Sequence, residues 1–200
     1  MEEKSNFEIR FEGRYRDGSA PWEIGRPQPL ILDLWEKGAF QGDILDVGCG
    51  TGENTLFLAS KGHSVFGVDL SATAIEQAQT KARTRKQDVE FHVGNALQLA
   101  SLNRVFDTLL DSAVFHVFTD AERPAYAESL AHVLKPSGRL YVVCFSEKEP
   151  PGWGPRRVPQ KEIRDTFKQY FKIDSIQEAT YQTLMKPEPI QAWLSSLIRF

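Results

Sequence analysis

The stretch Asp46-Val47-Gly48-Cys49-Gly50-Thr51-Gly52-Glu53 sets three glycines at alternate positions, with one acid two residues before them and another just after. Glycine lets backbone approach a ligand with no Cβ in the way. A dinucleotide loop would read G-x-G-x-x-G and would seat a pyrophosphate on the following helix N-terminus. Here the order is D-x-G-x-G-x-G, and carboxylates at Asp46 and Glu53 would repel a pyrophosphate. They suit a ligand carrying positive charge, an ammonium together with a sulfonium. Asp69 closes the next apolar run, 17 residues after Gly52. An acid at that place accepts both hydroxyl hydrogens of a ribose.

Such residues need a strand, a tight loop and a helix to hold them. Ile44-Leu45-Asp46-Val47 reads as a short buried strand, and Glu53 to Lys61 as a helix that Gly62 stops. His63 to Asp69 is a second strand, and Ser71 caps a helix running to about Arg85, with Ile75, Ala78 and Ala82 on one face. Val89–Val93, Val105–Asp111 and Arg139–Phe145 read as further strands. A helix spans Arg123–Leu134, followed by a turn at Lys135-Pro136-Ser137-Gly138. This alternation predicts an α/β fold: a parallel sheet with right-handed crossovers and helices on both faces, binding its ligand at the carboxyl ends of the strands. Pro29 to Lys37 predicts one more helix, and Glu147 to Pro159 a Pro/Gly-rich loop. Ala192 to Phe200 is ambiguous by period alone.

Length and composition bound the answer. The chain has 200 residues, 41% of them apolar, which suits one domain with one core. Its net charge of −3 argues against a basic nucleic-acid footprint. Cys49 and Cys144 read as reduced thiols, and the polar start Met1 to Asn6 shows no apolar leader run; the expected location is the cytoplasm. No apolar run approaches the roughly 18 residues of a membrane span. The basic cluster Lys81, Arg83, Arg85 and Lys86 reads as a solvated helix end. His63, His92, His116 and His132 are dispersed, with no metal-ligand spacing.

Ile44 to Gly52, with Gly67-Val68-Asp69-Leu70-Ser71, resembles the class I S-adenosyl-L-methionine-dependent methyltransferases. The resemblance covers nearly the whole chain. It implies a single-domain Rossmann-like fold with a seven-stranded, mostly parallel sheet whose last strand, Ala192 to Phe200, is antiparallel and whose sixth is Lys172 to Thr180. It implies S-adenosyl-L-methionine as cofactor, held by Asp46, Gly48, Cys49, Gly50, Gly52, Asp69 and Leu70. Gly94-Asn95-Ala96 falls where the family shows an acid for the adenine amino group; Asn95 stands there instead, and its amide oxygen can accept the same bond. Phe106 to Asp111 resembles the fourth-strand motif, and Leu134 to Leu140 the turn into the fifth strand. Asp111 either bonds near the cofactor amine or closes its strand. The segment Ala20 to Pro29, with Trp22, and Asp111 to Phe118 is similar to thiopurine S-methyltransferase relatives, most of all to bacterial heterocyclic toxin methyltransferases acting on hydroxyquinolones. Thiocyanate and halide methyltransferases carry a similar Trp-containing segment.

The implied reaction is in-line displacement of a methyl group onto O, N or S of a small aromatic heterocycle. The alternatives are a thiocyanate, halide or thiol acceptor, or a non-catalytic cofactor-binding module. His116, just past the fourth strand, is either a base or orienting group or a histidine bonded to loop backbone. Tyr15 and Asp17 are placed to orient an acceptor hydroxyl, although Asp17-Gly18-Ser19 is also ordinary turn chemistry. Trp22 covers the methionine end of the cofactor, where cation–π attraction suits a sulfonium, or fills core. Phe115, Phe118 and Trp153 wall a flat acceptor pocket or, as aromatics often do, pack in the core. Residues 1–40 form a lid segment over a cofactor-binding core at 41–200. The expected partner is a small-molecule acceptor, with neither nucleic acid nor membrane, in a monomer or homodimer.

Overall fold

The computed structural model describes residues 6–200. Met1 to Ser5, where the leader reading and the lid segment begin, lie outside the described residues. Seven strands form one sheet in the order β3-β2-β1-β4-β5-β7-β6. They are β1 (Asp43–Val47), β2 (Ser64–Asp69), β3 (Glu90–Val93), β4 (Phe106–Ser112), β5 (Leu134–Phe145), β6 (Phe171–Tyr181) and β7 (Ile190–Arg199). β1 pairs in parallel with β2 and β4, and β4 with β5, while β7 is antiparallel to both β5 and β6. β6 therefore points the same way as β1 to β5, which brings its last residue, Tyr181, to the edge where β1, β2 and β4 also end. The ambiguous C-terminal run is a strand because it has two neighbours to pair with, a fact no periodicity records.

The helices are α1 (Asn6–Arg16), α2 (Pro29–Glu36), α3 (Glu53–Ser60), α4 (Ala72–Thr84), α5 (Arg123–Val133) and α6 (Gln160–Phe167). Strand alternation sorts the core. Ile44 and Leu110 face a cluster with Ile31, Leu34 and Leu58 from α2 and α3. Leu45, Val47 and Leu109 face the opposite cluster, with Tyr126, Leu130 and Phe167 from α5 and α6. Both faces are covered, as parallel sheets require. Lys135–Gly138 is the expected turn, absorbed as a bulge: Leu134 pairs with Phe106 and Arg139 with Thr108. Ser71 caps α4, accepting from Ala74 N at 3.1 Å. No helix among the described residues is long and apolar enough to cross a membrane.

Ahead of α2, α1 lies against α4. Glu12 accepts from Ser71 Oγ (2.6 Å) and from Thr73 Oγ1 (2.5 Å), and Gln77 Nε2 donates to Tyr15 O at 3.3 Å. The N-terminal segment is thereby fastened across the carboxyl edge of the sheet.

Candidate active site

The glycine loop is built from local geometry. Gly48, Gly50 and Gly52 all hold positive φ, and Gly52 opens α3 from the left-handed region. At Gly50 the left-handed backbone itself favours glycine. At φ +55°, an added Cβ would lie 2.6 Å from Glu23 Oε1 and 2.9 Å from Tyr15 Oη.

Asp69 braces this loop from β2: Oδ2 accepts from Gly50 N at 2.9 Å and Oδ1 from Ser71 N at 2.8 Å. Burial pushes its carboxyl up to about 6 against those two amides. Each oxygen keeps a second lone pair, so both remain able to accept from a diol. Asp46 is fully buried. Its Oδ2 accepts from Thr55 Oγ1 at 2.6 Å, while Oδ1 has no hydrogen-bond partner. Burial raises it to about 7, with the charges of Asp69 and Asp111 adding to the rise. A buried carboxylate oxygen without a donor costs free energy unless something supplies one. Together with the side-chain-free cradle at Gly50, this fits a cationic ligand with a ribose.

The remaining cofactor-side residues lie near this loop or along the β2–β3 edge. Leu70, Asn95 and Ala96 are half-buried, with Asn95 Oδ1 accepting from Leu97 N at 2.9 Å to cap the 3-10 turn Ala96–Leu102. Cys49 is buried and burial pushes its thiol well up, so it acts as a small apolar residue. Asp111 closes its strand, the second of its two readings. Its oxygens accept from Val114 N (2.7 Å), Phe115 N (3.0 Å) and Tyr126 Oη (2.7 Å). The next residue, Ser112, lines the pocket instead.

Several acceptor-side expectations need correction. His116 is buried, and its Nδ1 accepts from Phe145 N at 3.1 Å. A neutral ring accepting at Nδ1 carries its proton on Nε2, so no lone pair is left for a base. Burial, and then the charges of Arg157 and Arg123, push its pKa down to about 3. His116 thus joins the ends of β4 and β5. Asp17 is exposed in the turn after α1, beside Arg16. Phe115 and Phe118 are core: Phe115 packs on Tyr126 and Phe167, and Phe118 lies 4.5 Å from the Tyr126 ring. Tyr15 does reach the site, but at the glycine loop. Its hydroxyl accepts from Trp22 Nε1 at 2.8 Å, and burial raises its pKa.

Trp22 and Trp153 are brought together with residues that sequence reasoning missed. They pack, half-buried, on the cluster of Val143, Phe145, Tyr181 and Ile190. Phe145 stands 5.8 Å from Trp153 and 6.0 Å from Tyr181, centroid to centroid. Arg157 organises the loop that carries Trp153, donating to the carbonyls of Trp153 and Pro155 at 2.6 Å. Tyr181 had one available signal: it ends a strand parallel to β1, so it had to reach the ligand edge. Glu23, which accepts from Thr51 N at 3.2 Å, had none.

A family model for a methyltransferase domain matches residues 44–138. A 2-heptyl-1-hydroxyquinolin-4(1H)-one methyltransferase of Mycobacteroides abscessus is 35% identical over 185 residues, covering 87% of this chain and 81% of the relative. The chain belongs to the S-adenosylmethionine-dependent methyltransferases. A probable thiol methyltransferase of Arabidopsis thaliana is 32% identical, covering 76% of this chain and 68% of that one. A solved structure from work on converting a disulfide bond into a thioacetal group during echinomycin biosynthesis superposes with a TM-score of 0.89 at 31% identity, covering 97% and 93% of the two chains. This methyltransferase has the Rossmann-like fold of its relatives, and its glycine loop lies at the carboxyl edge of the sheet.

Proposed function

We propose that the chain methylates an O, N or S atom of a small planar aromatic heterocycle of the hydroxyquinolone kind. The observation that carries this reading is that Trp22 and Tyr181 line the pocket beside the glycine loop, with Phe145 and Trp153 in the same aromatic cluster. Flat rings offer a flat acceptor stacking area of about 0.5–1.5 kcal/mol per contact beyond burial. The 35% identical relative, named for a hydroxyquinolone, supports the same class.

The cofactor, when bound, supplies an electrophilic methyl group whose departing thioether is neutral. The protein's part is then positioning and exclusion of water. Trp22 and Tyr15 close over the loop, Ser112 and Tyr181 border the pocket, and Trp153, on the β5–α6 loop, packs on Phe145 in the adjoining cluster. In this reading residues up to about 40 serve as the lid, latched through Glu12 and Glu23. Asp69 accepts the ribose hydroxyls, and Asn95 and Ala96 border the adenine.

A thiol or thiocyanate acceptor is the second reading, favoured by the 32% identical thiol methyltransferase. Turnover on a 2-alkyl-hydroxyquinolone and on thiocyanate separates the two. Methylation of the heterocycle with higher kcat/KM is expected; turnover of thiocyanate alone would overturn the proposal. The working context proposed is the cytoplasm, with a free small molecule as acceptor.

A further inference from the structure

The pocket against the glycine loop carries one carboxylate with no basic partner among the described residues, Glu23, which lies over Gly50. The amino-acid end of S-adenosylmethionine is a zwitterion, and its carboxylate entering this field would meet like charge. Two unit charges 4 Å apart interact by about 4 kcal/mol at the effective dielectric near a protein surface. A cation beside Glu23 would offset that repulsion. Lys81 and Arg85 are already spent on Glu53, at 2.8 and 2.9 Å. Among the described residues that line the pocket, one cation remains, Arg26. Its Nη2 donates to the neutral Gln182 Oε1 at 2.8 Å, and no carboxylate pairs with it among the described residues.

Arg26 is held on a rigid frame. Gln28, buried two residues later, donates from its backbone N to Asn54 Oδ1 (2.9 Å) at the start of α3. Its side-chain amide donates to Gln182 O and accepts from Gln182 N, both at 3.0 Å. The segment is thus tied at once to the glycine-loop helix and to the β6–β7 connection. Three residues before Arg26, Glu23 is fixed by Thr51 N and Thr51 Oγ1. Two lone-pair sites on its carboxylate stay open.

We infer that Arg26 and Glu23 form a clamp for the zwitterionic amino-acid tail of the cofactor, Arg26 taking the carboxylate and Glu23 the ammonium. The inference rests on the cofactor assignment and adds to it two contacts outside the D-x-G-x-G-x-G loop. A fork of N–H donors suits a carboxylate, and both residues line the one pocket beside the glycine loop, a cation and an anion for the two ends of an α-amino acid.

Calorimetry with three probes tests it: S-adenosylhomocysteine, its decarboxylated analogue and 5′-methylthioadenosine, which lacks the tail. Arg26→Ala is expected to weaken S-adenosylhomocysteine at least tenfold, about 1.4 kcal/mol. The same variant should leave the other two probes within twofold, and their retained binding reports that it folds. Arg26→Lys should recover part of the loss. Glu23→Gln should weaken S-adenosylhomocysteine and the decarboxylated analogue at least fivefold while sparing methylthioadenosine. Equal losses across the three probes, or none, would overturn the clamp. A wild-type chain that binds methylthioadenosine as tightly as S-adenosylhomocysteine would overturn it while leaving the cofactor assignment in place. Binding of none of the probes would overturn both.

Discussion

The glycine-loop side and the acceptor side of this methyltransferase are built in opposite ways. On the first, the site is backbone and carboxylates from one β-α-β unit: Gly50 presents no side chain, and Asp69, at the end of the next strand, accepts from Gly50 N directly. On the second, the aromatic cluster proposed to receive the acceptor comes from four distant segments, Trp22, Phe145, Trp153 and Tyr181, which meet only after β5, β6 and β7 pair. A local site survives as a motif. An assembled site does not, and the aromatics nearest in sequence to the β4 rim, Phe115 and Phe118, are used for the core.

The sharpest way to break this contrast is Phe115→Ala. If Phe115 is core, unfolding stability should drop by about 3–5 kcal/mol in denaturant titration, with acceptor KM unchanged within twofold. A raised KM at unchanged stability would return Phe115 to the pocket wall. Next in size, Asp69→Ala should weaken S-adenosylhomocysteine more than tenfold, above about 1.4 kcal/mol. It removes the ribose acceptor and leaves Gly50 N and Ser71 N without partners. Unchanged calorimetric affinity would refute the ribose role.

Trp153→Ala belongs to the other side. Acceptor KM should rise severalfold, consistent with the loss of about 0.5–1.5 kcal/mol of stacking, while cofactor affinity stays put. A loss of cofactor affinity instead would show that the two sides are not separable.

The smallest expected effect concerns pH. Burial holds Asp46 near 7 and Asp69 near 6, so in the ligand-free protein both keep protons that ordinary carboxyls release near 3.8. Raised carboxyls contribute stability that is present at low pH and lost as pH climbs through 6 to 7. A cationic ligand favours the ionised forms, so binding must expel those protons below that range. S-adenosylmethionine affinity, measured without acceptor, should therefore rise a few-fold between pH 5.5 and 7.5 and then level off. Asp46→Asn should flatten that rise; an unchanged slope would detach Asp46 from the ligand. His116, depressed to about 3, adds no titration of its own to the rate between pH 5 and 8.

The sequence by itself determined the parallel strands β1 to β5, their crossovers and the glycine loop, because those depend on alternation, caps and glycines close to one another in the chain; β6 and β7 were legible only through the resemblance. It left His116, Asp17, Phe115 and Phe118 with two readings each, since residue type does not say which way a rim side chain turns. The fold chose for them: His116 accepts from a β5 amide 29 residues away, and Asp17 stays in solvent. Only the tertiary structure decided that Tyr181 and Trp153 share a cluster with Trp22, or that Arg26 is the lone cation among the described lining of the pocket. Those are long-range contacts, fixed by strand order and by the tie between Gln28 and Gln182, and neither leaves a trace in local spacing.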